Sequence, residues 1–183
     1  MSQTKKQLFP SKFMSGTMLP EAATQVFIAL GSNLDDPSAQ VERGMQMLNT
    51  LEYTKIMKRS SLYCSAPIGR TDQPDFINAV VQVETRLTPH ALLTSLLAIE
   101  QTCGRVRTYR NAPRTLDLDI LLFEDLQCSD ADLVLPHPRM HERAFVLQPL
   151  LEIANACHIP GQGNVADCLT TCVHQSLERI PPS

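Results

Sequence analysis

The alternation of apolar and polar residues along the chain predicts four strands. Residues 26–30 form an apolar run that ends at Gly31-Ser32-Asn33, which is typical of a buried strand entering a turn. Residues 54–63 alternate weakly and predict a second strand. Residues 75–85 alternate clearly, with Ile77 and Ala79 on one face and Phe76 and Asn78 on the other. Residues 115–121 predict the fourth strand.

Apolar residues at helical spacing predict the helices between these strands. Asp36-Pro37 and Thr88-Pro89 each pair a capping residue with proline at the first helical position. The first helix buries Val41, Met45 and Leu48, and the second buries Leu92, Leu96, Ile99 and Cys103. Glu100 lies beside the second stripe, as either a surface carboxylate or part of a site. Residues 145–156 and 164–179 predict two closing helices.

The order of these elements predicts an α+β fold of the ferredoxin-like sandwich type. Its core is βαββαβ with an antiparallel sheet, and the helices are expected on one face, with additional C-terminal helices. A chain of 183 residues suits one domain, predicted at residues 24–183. Residues 1–23 carry three lysines and no sustained periodicity, which predicts a disordered tail.

Composition and the order of residues argue against a nucleic-acid-binding protein, a membrane protein and a zinc protein. The net charge of −3 argues against a nucleic-acid binder with a global positive field. No apolar run approaches the roughly 20 residues of a transmembrane helix, and no signal-peptide core is present, so we expect a cytoplasmic protein without a membrane partner. The six cysteines are scattered, none in a C-x-x-C pair, so no zinc site is expected.

The chemistry is concentrated at residues 105–121, RVRTYRNAPRTLDLDIL. Asp117 and Asp119 alternate with aliphatic residues, so on a strand both carboxylates face one side, about 7 Å apart. That arrangement suits one or two Mg²⁺ that also bind phosphate and water. Four arginines precede the strand, and their planar donor groups match phosphate oxygens. The pattern predicts a triphosphate site; the alternative is a solvated basic loop paired with surface acids.

Other residues add a ring-binding feature. Phe76 and Asn78 share a strand face, where an aromatic ring can stack on a heterocycle and an amide can pair with its edge. Alternatively, Phe76 belongs to the core and Asn78 bonds a loop backbone. His137, held between two prolines, either contacts a phosphate or caps a turn. Neither a P-loop nor a G-x-G-x-x-G motif occurs, so ATP must be bound differently.

The run RNAPRTLDLDIL at positions 110–121 resembles the signature of the 6-hydroxymethyl-7,8-dihydropterin pyrophosphokinase family of folate biosynthesis. Phe76-x-Asn78, Glu100, Pro136-His137, Arg143 and Phe145 also match, and the resemblance covers about residues 26–156. It implies a ferredoxin-like fold and transfer of the β,γ-diphosphoryl group of ATP to 6-hydroxymethyl-7,8-dihydropterin, with release of AMP. It also implies two Mg²⁺ and, as a pathway neighbour, dihydropteroate synthase.

The resemblance assigns roles residue by residue. The implied catalytic residues are Arg105, Arg107, Asp117 and Asp119, and the two aspartates are the metal ligands. ATP would contact Glu100, Arg105, Arg107, Arg114, Ile120, His137 and Arg143. The pterin would contact Ser65, Ala66, Ile68, Phe76, Asn78 and Phe145. Two loops, residues 64–74 and 105–113, are expected to act as lids that order when both substrates bind.

Two departures and two alternatives accompany the resemblance. Asn111 stands where some relatives carry Trp, and the arginine loop is one residue shorter than in some of them, which affects the expected adenine contacts. One alternative is an RNA-binding module, since ferredoxin-like sheets can present aromatic residues to bases. The acidic net charge and the absence of an aromatic string oppose it. The other is a catalytically silent nucleotide sensor, against which the joint retention of both aspartates, the arginines and the pterin residues argues.

Overall fold

The computed structural model describes residues 22–67, 72–105 and 112–181. The predicted tail, residues 1–23, therefore lies almost entirely outside the described residues. The elements are β1 (Thr24–Ser32), α1 (Pro37–Leu48), β2 (Thr54–Arg59), β3 (Tyr63–Ser65), β4 (Phe76–Thr85), α2 (Pro89–Thr102), β5 (Asp117–Phe123), β6 (Cys128–Ser129), β7 (Val134–Leu135), a 3-10 turn (Met140–Glu142), α3 (Ala144–Ile153), β8 (His158–Ile159), β9 (Gly163–Asn164), α4 (Val165–Thr170) and β10 (Leu177–Arg179).

The main sheet is antiparallel, with strand order β10-β3-β4-β1-β5, and β2 pairs with the remaining length of β4. Its register brings distant residues into one row. Gly31 of β1 lies between Asn78 of β4 and Asp117 of β5. One row across the sheet thus places Asn78, expected to bind the pterin, two strands away from Asp117, the first expected metal ligand. The α+β fold predicted from the sequence is confirmed.

Helices cover both faces of this sheet, whereas the sequence reading expected them on one. α1 and α2 pack on one face around residues such as Ile28, and α3 and α4 pack on the other around Phe27. These neighbours on β1 are both buried, as a strand covered on two sides requires. Among the described helices, none has the length and apolar character that crossing a bilayer demands.

Both predicted helix starts are confirmed. The Asp36 carboxylate accepts a hydrogen bond from the Ala39 N–H at 3.3 Å, and Pro37 follows it in the first turn. The Thr88 hydroxyl accepts one from the Ala91 N–H at 3.3 Å, again ahead of a proline. Capping satisfies backbone donors that a helix leaves unpaired at its start. These caps set where α1 and α2 begin against the sheet.

Three boundaries differ from prediction. Gly31 and Ser32 belong to β1 and do not form a turn. Residues 54–63 form two strands, because the regular pairing is interrupted at Ser60: its N–H donates to the Val80 carbonyl at 3.0 Å, but its hydroxyl accepts from the Val80 N–H at 2.9 Å in place of its carbonyl. The predicted helix at 164–179 is wrong beyond Thr170: the chain turns and adds β10 to the free edge of β3.

Candidate active site

A pocket of about 130 Å³ opens where the ends of β1 and β3 meet the starts of β4, β5 and α3. Its wall is cationic and acidic at one end and aromatic at the other. The described residues that line it include Gly31, Ser65, Ala66, Pro67, Phe76, Asn78, Arg114, Asp117, Asp119, Arg139, Arg143 and Phe145. The acidic strand and the strand expected to bind a ring, which the sequence analysis treated as separate features, therefore line one cavity.

Asp117 and Asp119 both face this pocket from β5, as the alternation predicted. Asp117 forms ion pairs with Arg105, whose Nη1 lies 2.6 Å from a carboxylate oxygen, and with Arg114. The pKa of Asp119 is raised to about 6, first because its carboxyl is desolvated and then because Asp117 repels its charge. The free protein thus holds one neutralised carboxylate beside one whose charge is poorly compensated.

The structure excludes a surface carboxylate at Glu100, because this residue is buried, with 2% of its surface exposed. Its carboxyl accepts a hydrogen bond from the Leu118 N–H at 2.8 Å and pairs with Arg105. Burial raises the pKa of Glu100 to about 7, against the opposing effects of the Leu118 hydrogen bond and Arg105. Glu100 does not line the pocket; it fixes Arg105 and the beginning of β5 from behind.

Asn33 does not line the pocket but supports two segments that do, a role that the sequence analysis did not predict. Its side-chain oxygen accepts from the Arg114 N–H at 2.8 Å, and its own N–H donates to the Arg114 carbonyl at 3.0 Å. Its side-chain amide also donates to the Pro74 carbonyl at 3.3 Å. Asn33 therefore ties the Arg114 segment to the loop before β4. The available signal was a polar residue at the end of an apolar strand, which was interpreted only as a turn.

His137 occupies the rim beyond Asp119. Its N–H donates to the Leu121 carbonyl at 2.9 Å, and its Nδ1 accepts from the Arg139 N–H at 3.2 Å. A nitrogen that accepts cannot carry the proton of the neutral ring, so the proton is on Nε2, which lies 3.9 Å from the Asp119 carboxylate. Burial, and then Arg143, lower the pKa of His137 to about 4. At neutral pH the ring is therefore an uncharged donor.

The other end of the pocket holds the residues expected to bind a ring. Phe76, Asn78, Ser65, Ala66 and Phe145 all line it. Asn78 is buried, and its amide nitrogen donates to the Ser65 hydroxyl at 3.0 Å, which fixes the orientation of the carboxamide. The Arg143 guanidinium lies 5.6 Å from the centre of the Phe145 ring, within the range of a cation–π contact.

Some predicted site residues are not brought to the pocket wall. The Ile120 side chain is buried in the α1–α2 core, on the opposite face of β5 from the aspartates. Ile68 and Arg107 lie outside the described residues, as do Asn111 and the central parts of the two expected lids. Conversely, Arg139 lines the pocket and was not singled out from the sequence.

The acidic end fits a magnesium ion that arrives with phosphate. Within the described ranges, no group of three or more His, Cys, Asp or Glu side chains could hold a metal. Mg²⁺ is commonly bound by one or two carboxylates together with water and substrate phosphate oxygens. Asp117 and Asp119 on one strand face supply that donor set.

The chain is similar to proteins of one family. The model of the 7,8-dihydro-6-hydroxymethylpterin-pyrophosphokinase (HPPK) family matches residues 27–155. A 2-amino-4-hydroxy-6-hydroxymethyldihydropteridine pyrophosphokinase of Pseudomonas aeruginosa is 42% identical over 157 residues, which are 86% of this chain and 97% of that protein. The protein of the same name from Haemophilus influenzae is 40% identical over 156 residues, 85% of this chain and 98% of its own.

Solved structures share the fold at much lower identity. A Plasmodium falciparum HPPK-DHPS structure with pteroate superposes with a TM-score of 0.66 at 16% identity, covering 86% of this chain. A further HPPK-DHPS structure in complex with substrates gives a TM-score of 0.63, also at 16% identity, and covers 83% of this chain. The chain spans 44% of the length of each of these larger chains.

Proposed function

The chain belongs to the 7,8-dihydro-6-hydroxymethylpterin-pyrophosphokinase family, and from that premise we propose which of its residues carry out the family reaction. The reaction is the ATP-dependent transfer of a pyrophosphoryl group to hydroxymethyldihydropterin, a step of folate biosynthesis. The enzyme is thus a 2-amino-4-hydroxy-6-hydroxymethyldihydropteridine diphosphokinase. The observation that supports the residue assignment is that a charged end, with Asp117, Asp119 and arginine side chains, and an aromatic end share one pocket.

The pterin is assigned to the aromatic end. Phe76 and Phe145 would stack on its ring, while Asn78 and Ser65 would pair with its polar edge. Because Asn78 donates to Ser65, its oxygen is left to accept from a pterin N–H. A Cβ at Gly31 would lie 3.4 Å from that oxygen, in ordinary van der Waals contact with it. The backbone of Ala66, which lines the pocket, would complete the proposed contact, together with Ile68 as the family resemblance implies.

ATP is assigned to the charged end. Arg114 and Arg143 line the pocket there, with His137 at the rim. We assign them, with Arg105 and Arg107, to the phosphates, because guanidinium groups match phosphate oxygens in charge and geometry. Glu100 would act on ATP through Arg105, which it orients. Ile120 would contribute through its backbone, since its side chain is buried in the core.

Asp117 and Asp119 are the proposed ligands of two Mg²⁺ ions. When bound, the ions would neutralise charge on the phosphate oxygens and lower the pKa of the attacking hydroxyl group. Asp117 is paired with Arg105 and Arg114 in the free protein, so it can exchange these cations for a metal while the arginines turn to phosphate. The two carboxylates would hold this end of the substrate in a fixed position relative to the pterin.

In the reaction, the hydroxymethyl oxygen of the pterin forms a bond to the β-phosphorus of ATP. The bond between that phosphorus and the oxygen bridging to the α-phosphate breaks, AMP leaves with the electron pair, and the hydroxyl proton passes to solvent. The protein performs no covalent step. Its residues align the two substrates, exclude water and place positive charge around the transferring group, which are the main sources of rate in phosphoryl transfer.

We extend the same proposal to organisation and partners. Residues 24–183 would form the single catalytic domain, active in the cytoplasm on ATP and the pterin without nucleic acid or membrane. Dihydropteroate synthase is proposed as a pathway neighbour, since solved HPPK-DHPS chains contain the same fold. That link concerns the sequence of reactions: the diphosphate product carries a good leaving group for a following substitution.

The test is AMP formation from ATP and Mg²⁺, with and without hydroxymethyldihydropterin. We expect pterin-dependent AMP and no ADP from the unaltered protein. Asp119→Asn should lower turnover by roughly 100-fold, on the scale of losing one charge-stabilising group. Asp130→Asn, which alters an exposed carboxylate beside His90, should leave turnover unchanged. Near-full activity of Asp119→Asn at saturating Mg²⁺ would refute the metal assignment, and ADP as product would refute diphosphoryl transfer.

A further inference from the structure

The start of α3 carries two residues of the proposed site but lacks a cap of its own. Arg143 is the residue before the helix, with an extended backbone (φ −125°, ψ 105°) and no side-chain capping hydrogen bond. Its side chain cannot cap, because a guanidinium group has no hydrogen-bond acceptor, and it lines the pocket beside Phe145. The first N–H groups of a helix need acceptors from elsewhere. The N–H of Ala144, a residue with only 4% of its surface exposed, is one of these donors.

Gln175, 31 positions along the chain from Ala144, supplies that acceptor. Its side-chain oxygen accepts from the Ala144 N–H at 2.9 Å, and its side-chain nitrogen donates to the Glu142 carbonyl at 2.7 Å. One amide group therefore bonds the backbone on both sides of Arg143. The side-chain amide thus bonds the backbone as a neighbouring β-strand would. It fixes the two peptide planes on either side of Arg143, and these planes set the direction of the Arg143 side chain.

Gln175 is itself held in place. Its N–H donates to the Cys172 carbonyl at 2.9 Å, and Cys172 is buried against the core under α3. Two residues after Gln175, the chain enters β10, in which Leu177 pairs with Ser65 of the opposite pocket wall. The turn bearing Gln175 thus lies between two fixed points, one under each wall of the pocket.

We propose that Gln175 is a positioning residue of the enzyme, which aims Arg143 at the phosphates and Phe145 at the pterin by clamping the backbone between Glu142 and Ala144. The proposal rests on the roles assigned above to Arg143 and Phe145. Gln175 does not line the pocket and acts only through these residues.

The Arg143 side chain needs such support. Its Nε is buried without a hydrogen-bond partner in the described part of the chain. Before ATP binds, the orientation of the guanidinium therefore depends on the backbone, on packing over Phe145 and on attraction to Asp119 and Asp117. Releasing the Glu142 and Ala144 bonds lets the first turn of α3 unwind, and displacement of about 1 Å at a substrate-aligning group is enough to cost rate heavily.

The experiment compares Gln175→Met, which keeps the side-chain length and removes both hydrogen bonds, with Thr88→Ala, which removes the cap of α2 away from the pocket. Steady-state constants are measured for ATP and pterin well below the melting temperature, and amide exchange is followed at Ala144. For Gln175→Met we expect roughly ten-fold lower kcat/KM and fast Ala144 exchange. Thr88→Ala should lose comparable thermal stability and retain its kinetic constants.

Unchanged kinetic constants in folded Gln175→Met, or equal losses in both variants, would overturn the proposal. Should Gln175→Met not fold, Gln175→Glu keeps an acceptor for the Ala144 N–H, and about three-fold lower kcat/KM is expected; no loss would again overturn it. If the unaltered protein makes no pterin-dependent AMP, the function assigned above fails. In that case a protected Ala144 amide in Gln175→Met still refutes the clamp by itself.

Discussion

Replacing Glu100 by glutamine tests whether burial or Arg105 decides the charge of this carboxyl group. The amide oxygen can still accept from the Leu118 N–H, so the start of β5 keeps its hydrogen bond. The variant lacks only the titratable proton of the Glu100 carboxyl group. In the unaltered protein the pKa of Glu100 rises from its ordinary value of 4.5 to about 7, because burial favours the neutral form.

The sign follows from proton binding. The folded protein binds the Glu100 proton more tightly than the unfolded chain, so the stability that this group contributes is fully present below pH 4.5 and is lost as the pH rises through 7. At 1.36 kcal/mol per pKa unit the full shift corresponds to about 3 kcal/mol. Because pH 5 already lies above the ordinary pKa of 4.5, only part of this effect falls in the window, and we expect about 2 kcal/mol between about pH 5 and pH 8.

Urea unfolding of both proteins at these two pH values measures the effect. The unaltered protein should lose about 2 kcal/mol more than Glu100→Gln on going to the higher pH, whatever the absolute stability of the variant. Titration of other groups cancels in this double difference. A difference between the two proteins that is the same at both pH values would mean that Glu100 is ionised throughout. The ion pair with Arg105 would then outweigh burial.

Two further predictions concern the core and the pocket rim. Gly44 of α1 is packed so closely that an added Cβ would lie 3.0 Å from Leu116 and 3.2 Å from Leu30, so Gly44→Val should cost about 1–3 kcal/mol by urea unfolding. A neutral result would mean that the two leucines repack freely. For the free protein, nitrogen NMR should find His137 as the Nε2–H tautomer with no titration between about pH 5.5 and pH 8. A titration midpoint near pH 6.5 would contradict this. Because folding lowers the pKa of His137, the stability that the neutral ring contributes is fully present above pH 6.5 and is lost as the pH falls through 4.

The parts of the fold that were predictable are those with local signals. The caps of α1 and α2 depend on adjacent residues such as Thr88 and Pro89, and the shared face of Asp117 and Asp119 follows from strand periodicity alone. The apolar run around Phe27 and Ile28 predicted a buried strand, and β1 is buried on both faces, although the helices were expected on only one face of the sheet.

The parts that were missed depend on tertiary pairing. Residues 171–179 have spacing compatible with a helix, but the free edge of β3 offers unpaired backbone groups, and β10 satisfies them. The hydrogen-bond partners of Asn33 and Gln175 likewise do not follow from local sequence, because they lie 81 and 31 positions away. For Glu100 the sequence left two alternatives, and only the fold, by bringing Leu118 and Arg105 to it, decides between them.

The placement of β10 bears on the order in which parts of the molecule can fold. Arg179 bonds Ser61 across 118 positions and Glu152 on α3, and β10 pairs with the sheet edge that carries Ser65. The elements β1, β4 and α1 pack on one another without this segment, whereas the edge of β3 keeps unpaired backbone groups until β10 adds to it. We therefore expect the sheet edge beside the pocket to close after the central strands have paired.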